Sequence, residues 1–191
     1  MPSHWQKGLI LLAAALAAGP AGALDADDPA TFERIRSLAG SWSGRMEDPL
    51  AGDPVAVRFE VVSNGRAVIE FQNTGKSYEM TTVYFLANGK LHATHYSAAG
   101  NQPSWKLAKL STPDVAMLEF DGGTGFDKAH DGHVHQGEIR FVSKDRIEER
   151  WDHFVGPKAQ GSTHWFLDRV AQPASGTATA PPPQPPRAGG G

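Results

Sequence analysis

The sequence predicts an all-β chain, one antiparallel domain of about eight to ten short strands behind a short N-terminal helix. Three observations carry this. Two Asn-Gly dipeptides, Asn64-Gly65 and Asn88-Gly89, each stand between runs of strand-forming residues, and tight hairpins favour Asn-Gly because both central positions need positive φ. Apolar and polar residues alternate with the period of a half-buried strand, as in Val55, Val57, Phe59 and Val61 against Ala56, Arg58 and Glu60. Beyond Gly40 no second helical period interrupts the short runs and their turn residues.

The chain opens with Met1 to Lys7, an apolar run from Leu9 to Ala18, and then Gly19-Pro20-Ala21-Gly22-Ala23. A positive start, a short apolar stretch and small residues at its end predict a signal peptide over 1–23. At roughly 1.5 Å per helical residue the run is too short for a bilayer core of about 30 Å. The barrel or sandwich domain is expected over 24–171. Asp28 is read as a helix cap, Pro29 as the first helical position, and Phe32, Ile35 and Leu38 or Ala39 recur at helical spacing until Gly40. Trp42 to Glu47 opens the strands. Val55 to Val61, Arg66 to Asn73, Tyr78 to Leu86 and Lys90 to Ser97 follow, then Ser104 to Leu110, Val115 to Phe120, Val134 to Val142, Ile147 to Val155 and Ser162 to Val170. The Pro- and Gly-rich tail over 172–191 has almost nothing to bury, so it is expected to be disordered.

Charge and composition narrow the functions. With 18 basic against 21 acidic residues, a formal net charge of −3 and no basic cluster, the chain carries no nucleic-acid footprint. It has no cysteine, so the fold stands on its core alone and no lipid-modified cysteine anchors it. With the leader, this points to a periplasmic or secreted protein without a membrane span. The sequence sets no oligomeric state.

Leu38-Ala39-Gly40-Ser41-Trp42-Ser43-Gly44 resembles the entry of the lipocalin superfamily, where a short helix leads into a Gly-x-Trp whose tryptophan plugs one barrel end. Three further segments, His95-Tyr96-Ser97-Ala98-Ala99-Gly100-Asn101-Gln102-Pro103, then Gly132-His133-Val134-His135, then Glu149-Arg150-Trp151, resemble in this order a family of uncharacterised bacterial exported proteins with a lipocalin-like (calycin-like) barrel. The likeness runs from about Leu38 to Phe166. It implies a single antiparallel lipocalin-like β-barrel rather than a sandwich, and brings no established activity. The family usually has Cys where this chain has Ser97, and an Arg-Met pair where it has Ser104-Trp105. Nitrobindin-like barrels share the Gly-x-Trp-x-Gly opening seen at Gly40 to Gly44. Haem binding of that kind would look to His164, near the C-terminus, for an axial ligand.

Alternation also predicts an interior. Side chains two apart share a face of a strand, so His133 and His135 share parity with Ile139 and Phe141 and are expected to point inward, with Val134, Glu138 and Arg140 opposite. The neighbouring run is read with Ile147, Glu149, Trp151, His153 and Val155 inward, and the earlier one with Leu91, Ala93, His95 and Ser97 on one face. The candidate ligand-binding residues are therefore His95, His133, His135, Glu149 and Trp151, with Asn101 and Gln102 in a loop that either lines the barrel mouth or makes a rigid turn. Imidazole and carboxylate suit a divalent transition metal, with His133, His135 and Glu149 as its ligands. Otherwise they hold a small polar ligand, or simply bond one another as a structural network. Asp121 to Asp131 is read as a flexible mouth loop without calcium-loop spacing. The expected function is an exported barrel that binds a small molecule or a metal; a hydrolase or isomerase in the same cavity is the alternative. No Gly-x-Ser-x-Gly, phosphate-cradling loop or His-Glu-x-x-His is present, and Ser97 near His95 lacks an oriented third group.

Overall fold

The computed structural model describes residues 27–47 and 54–171, so the leader expected over 1–23 and the tail over 172–191 lie outside the described residues. One helix, α1 (Asp28–Arg36), precedes ten strands: β1 (Gly40–Met46), β2 (Val55–Val62), β3 (Ala67–Gln72), β4 (Met80–Ala87), β5 (Lys90–Tyr96), β6 (Gln102–Leu107), β7 (Val115–Thr124), β8 (Gly132–Ser143), β9 (Arg146–Val155) and β10 (Lys158–Arg169). Each strand pairs antiparallel with the next and β10 closes on β1, giving one closed barrel. Closure leaves the barrel without an edge strand. Among the described residues no helix is long and apolar enough to cross a membrane.

The expected helix is present, with its cap moved by one residue. Asp27, not Asp28, caps it by accepting the Ala30 N–H at 2.9 Å. Asp28 instead accepts the Leu91 N–H at 2.7 Å and pairs with Lys90, which ties the helix to the start of β5. Phe32, Ile35 and Leu38 are buried and cover the barrel end formed by the β2–β3, β4–β5, β6–β7 and β8–β9 connections. Trp42 lies beneath them, 1 % exposed, and donates its indole N–H to Leu38 O. The Arg169 guanidinium stacks over its ring and donates to the carbonyls of Ser37 and Ala39.

The Asn88-Gly89 turn is the two-residue hairpin expected, with φ of 52° and 75°. Asn64-Gly65 instead sits in a four-residue connection between Val62 and Ala67. Gln102 and Pro103 begin β6 rather than lying in a loop, and β7 runs on through Thr124 into the expected mouth loop. Pro103 is tolerated because β5 pairs with β6 no further than Ser104, so its missing N–H interrupts no ladder on that side.

The opposite end of the barrel holds the 73–79, 97–101, 125–131 and 156–157 connections, with no helix among the described residues. Here β7 and β8 part: β7 pairs with β8 only from Val115 to Leu118. Two side chains of the β6 region bridge the gap, Asn101 donating to Gly132 O at 2.8 Å and Trp105 to His135 O at 3.2 Å.

β1 and β10 approach so closely at Gly44 that an added Cβ would run into the Phe166 carbonyl and meet Leu167 Cα at 3.0 Å. Gly44→Ala is expected to cost roughly 2–4 kcal/mol in urea denaturation. Gly132→Ala, whose new Cβ would meet nothing closer than 3.7 Å, is expected to stay within about 0.5 kcal/mol.

Candidate functional site

The interior of β3, β4, β5 and β9 is polar where an apolar core would be simpler. Glu70 and Gln72 of β3, Thr82 of β4, His95 of β5 and Glu149 of β9 are all buried, the two glutamates completely. No lysine or arginine is among the buried residues. Tyr84, also buried, donates to Glu70 Oε2 at 2.5 Å, and Gln72 donates to Glu70 Oε1 at 2.6 Å. Trp151 donates to Glu149 Oε2 at 3.3 Å. The other Glu149 oxygen, Oε1, is buried with no hydrogen-bond partner, and the two carboxyls act on each other across the interior.

Burial makes this pair hard to ionise. Loss of solvent is the largest influence on both: it pushes Glu70 up to about 7 and Glu149 well above the ordinary carboxyl range, where the nearby Glu70 charge raises it further. Burial likewise raises Tyr84, beside the same carboxyls. His95 moves the opposite way, held down at about 4 by burial and then by His153, so its imidazole is neutral at pH 7.

His95 lies beside this group and lines a cavity. Its Nδ1 lies 3.0 Å from Thr82 Oγ1. Its ring packs between Trp105 and Trp151, at centroid distances of 5.7 and 6.3 Å. Its Nε2 is buried with no partner. The cavity, about 50 Å³, is lined by Gln72, Met80, His95, Val134, Trp151, His153, Thr163 and Trp165, and lies toward the end opposite α1. Trp165 Nε1 is also buried without a partner, while His153 Nε2 is taken by Thr163 Oγ1 at 2.8 Å. Gly137 gives Trp151 its place, because a Cβ there would stand 2.5 Å from the indole ring.

Of the residues singled out from sequence, His95, Glu149, Trp151 and His153 reach this interior. His133 and His135 do not line the cavity. Val134 pairs with His153 and Gln136 with Asp152, so His135 is the extra residue of a β-bulge. The bulge resets the alternation, and Val134 takes the cavity wall. The two histidines instead bond each other, His133 Nε2 to His135 Nδ1 at 3.0 Å, among the rings of Phe120, Phe126 and Phe154. They therefore do not converge with Glu149. Among the described residues no group of three His, Asp or Glu side chains is arranged to hold a metal ion.

Asn101 is buried and bound to Gly132 O, a bridge across the parted strands, and Gln102 bonds Gly100 O and Thr124. Ser97 Oγ accepts from the Ala99 N–H, two residues along its own turn. His164 pairs with Glu47 and Glu148, and sits opposite Arg150 on the parity away from Trp165. It does not reach the interior, and a cavity of about 50 Å³ is far below the roughly 300 Å³ at which ordinary ligand pockets begin, so a haem does not fit. A larger groove of about 630 Å³ lies outside, beside Asp28, Lys90, His92 and Lys106. It is open, and Lys90 and Lys106 are already paired with Asp28 and Asp121.

Glu70, Gln72, Thr82, Tyr84 and Trp165 were not found from sequence. In β3 the half-buried Ile69 and Phe71 have the parity opposite to Val68, Glu70 and Gln72. A strand apolar on both faces offers no alternation to read.

A comparison with family models finds no match, and neither does one with curated proteins. Among solved structures the barrel is similar to a protein of unknown function from the DUF3598 family of Nostoc punctiforme PCC 73102, with a TM-score of 0.50 and 10 % identity. The match covers 71 % of this chain and 48 % of that one, so this chain spans about half the length of its structural neighbour. At that identity the likeness is one of fold alone.

The carboxyl pair makes stability depend on pH. A carboxyl whose folded pKa is raised contributes stability that is full below its ordinary value of 4.5 and is lost as the pH rises through about 7, where Glu70 ionises. His95 opposes this at lower pH: its contribution is present above 6.5 and is lost as pH falls toward about 4. Above pH 6.5 the carboxyls act alone, so the unfolding free energy is expected to fall toward about pH 8. Glu149→Gln keeps an acceptor for Trp151 and removes one of the two ionisable groups. It is expected to show a shallower slope and to exceed wild type at about pH 8 by roughly 1–3 kcal/mol in urea denaturation. An unchanged slope contradicts the pairing.

Proposed function

We propose that this chain is an exported, calycin-like binding barrel that holds a small polar molecule between His95, Trp151, His153 and Trp165. One observation carries the reading: His95 and Trp165 line one cavity, and each has a buried hydrogen-bonding atom, Nε2 and Nε1, without a partner. A buried polar group left unpaired costs about 1–3 kcal/mol, so a molecule that satisfies both gains affinity from the interior itself. The wall otherwise offers indole faces and Met80, the mixture of apolar surface and few polar groups that ligand sites use. The site opens toward the end that α1 does not cover. The leader read in the sequence supports export, and the absence of cysteine is compatible with a periplasmic or secreted address.

The test is to produce the full chain in a bacterial host, recover it from the periplasm and extract it under denaturing conditions for mass spectrometry, with an absorbance spectrum and elemental analysis of the same sample. The expected result is a mature chain beginning at Leu24 that releases one small organic molecule, with neither a Soret band nor stoichiometric metal. Trp165→Phe should lose that molecule by about tenfold or more while staying folded. Stoichiometric metal that disappears in the His133→Ala/His135→Ala double variant would overturn the reading in favour of a metal site.

A further inference from the structure

β7 and β8 run for 10 and 12 residues but share a ladder of only four pairs, from Val115 to Leu118 of β7. Beyond it β7 stays with β6 as far as Thr124, while the Gly132 end of β8 pairs with β9. The seam left between them is held by side chains. Asn101 donates to Gly132 O and Trp105 to His135 O, while His133 donates to Asp131 O and bonds His135. Rings fill the rest: His135 stacks between Phe120 and Phe154 at centroid distances of 4.7 and 4.2 Å, and His133 against Phe126 at 4.8 Å. This seam borders the cavity. Val134 belongs to the unladdered stretch of β8 and lines the cavity, and the Trp105 ring packs on His95 and Trp151, two more residues of the wall.

Resting on the binding reading above, we propose that small molecules reach the cavity through the β7–β8 seam, with Trp105 as its gate. Local opening takes place where few backbone bonds and few apolar contacts are lost. Parting β8 from β9 breaks a ladder that runs from Gly132 to Ser143, and the α1 end is filled by Phe32, Ile35 and Trp42. At the seam two side-chain hydrogen bonds to β8 carbonyls and a set of ring contacts stand in the way, and no ladder. Each such bond is a modest barrier beside several backbone pairs broken together. When Trp105 leaves His135 O its ring also leaves His95 and Trp151, so one side chain connects the seam to the cavity wall.

The experiment uses the full chain labelled with ¹⁵N and follows exchange of its indole N–H groups with deuterated water, assigned with Trp42→Phe and Trp165→Phe. Trp165 Nε1, buried without a partner on a cavity-lining residue, reports solvent reaching the cavity; Trp42 Nε1, bonded to Leu38 O, reports the α1 end. Trp105→Phe and Asn101→Ala each remove one seam bond, and each is expected to speed Trp165 exchange about tenfold with Trp42 unchanged. The chain has no cysteine of its own, so the pair Phe120→Cys/His135→Cys can lock the seam: Trp165 should exchange faster than in wild type while the pair is reduced, and slow again once the disulfide forms. Equal acceleration at Trp42 would overturn the proposal, because the variants would then be loosening the whole barrel. So would Trp165 exchange that ignores both the seam variants and the lock. If that happens while periplasmic protein still releases a bound molecule, the route is wrong and the binding reading stands. If the seam responds as expected and nothing is released, the binding reading falls, and the passage of a ligand with it.

Discussion

Two carboxyl groups enclosed by a barrel with no buried cation beside them cannot both be ionised, and the interior is arranged around that constraint. Glu70 and Glu149 come from β3 and β9, which are not neighbours in the sheet, so they meet across the barrel rather than along it. Burial favours keeping a proton on the pair. Tyr84 and Gln72 donate to Glu70, and on the neighbouring strands Thr82 bonds His95. Apolar side chains of similar volume would give a core at least as stable. Buried hydrogen bonds fix rotamers that an apolar core leaves free, and here one of them holds the imidazole of His95 beside a cavity.

The position of that cavity follows from the two different ends of the barrel. Trp42, α1 and Arg169 close one end with packed rings and carbonyl hydrogen bonds. At the other end β7 leaves β8 after Leu118, and side chains rather than a ladder hold the gap. Asn101 and Trp105 take the place of missing backbone pairs there. The fold is shared at 10 % identity with a much longer protein of unknown function, so what this barrel does has to be argued from these side chains.

Much of this was legible in the sequence. The helix, the strand sequence and the Asn88-Gly89 hairpin follow from local periodicity and turn chemistry, and alternation correctly turned His95, Glu149, Trp151 and His153 toward the interior. It failed at His135 because one inserted residue reverses every side chain beyond it, and nothing in Gly132-His133-Val134-His135 marks a bulge. It was silent at Glu70 for a different reason. Ile69 and Phe71 cover the outer face of β3, so the polar residues of that strand looked like the solvent side until β9 set Glu149 against them.

Everything in this interior depends on burial keeping a proton on the pair. That is tested most directly by following the side-chain carboxyl ¹³C resonances of Glu70 and Glu149, assigned with Glu70→Gln and Glu149→Gln, as the full chain is titrated from acid to alkaline pH. A proton still held by the pair at about pH 6, with the first ionisation near 7, is the result expected from their burial. Two independent ionisations near the ordinary 4.5 would contradict it.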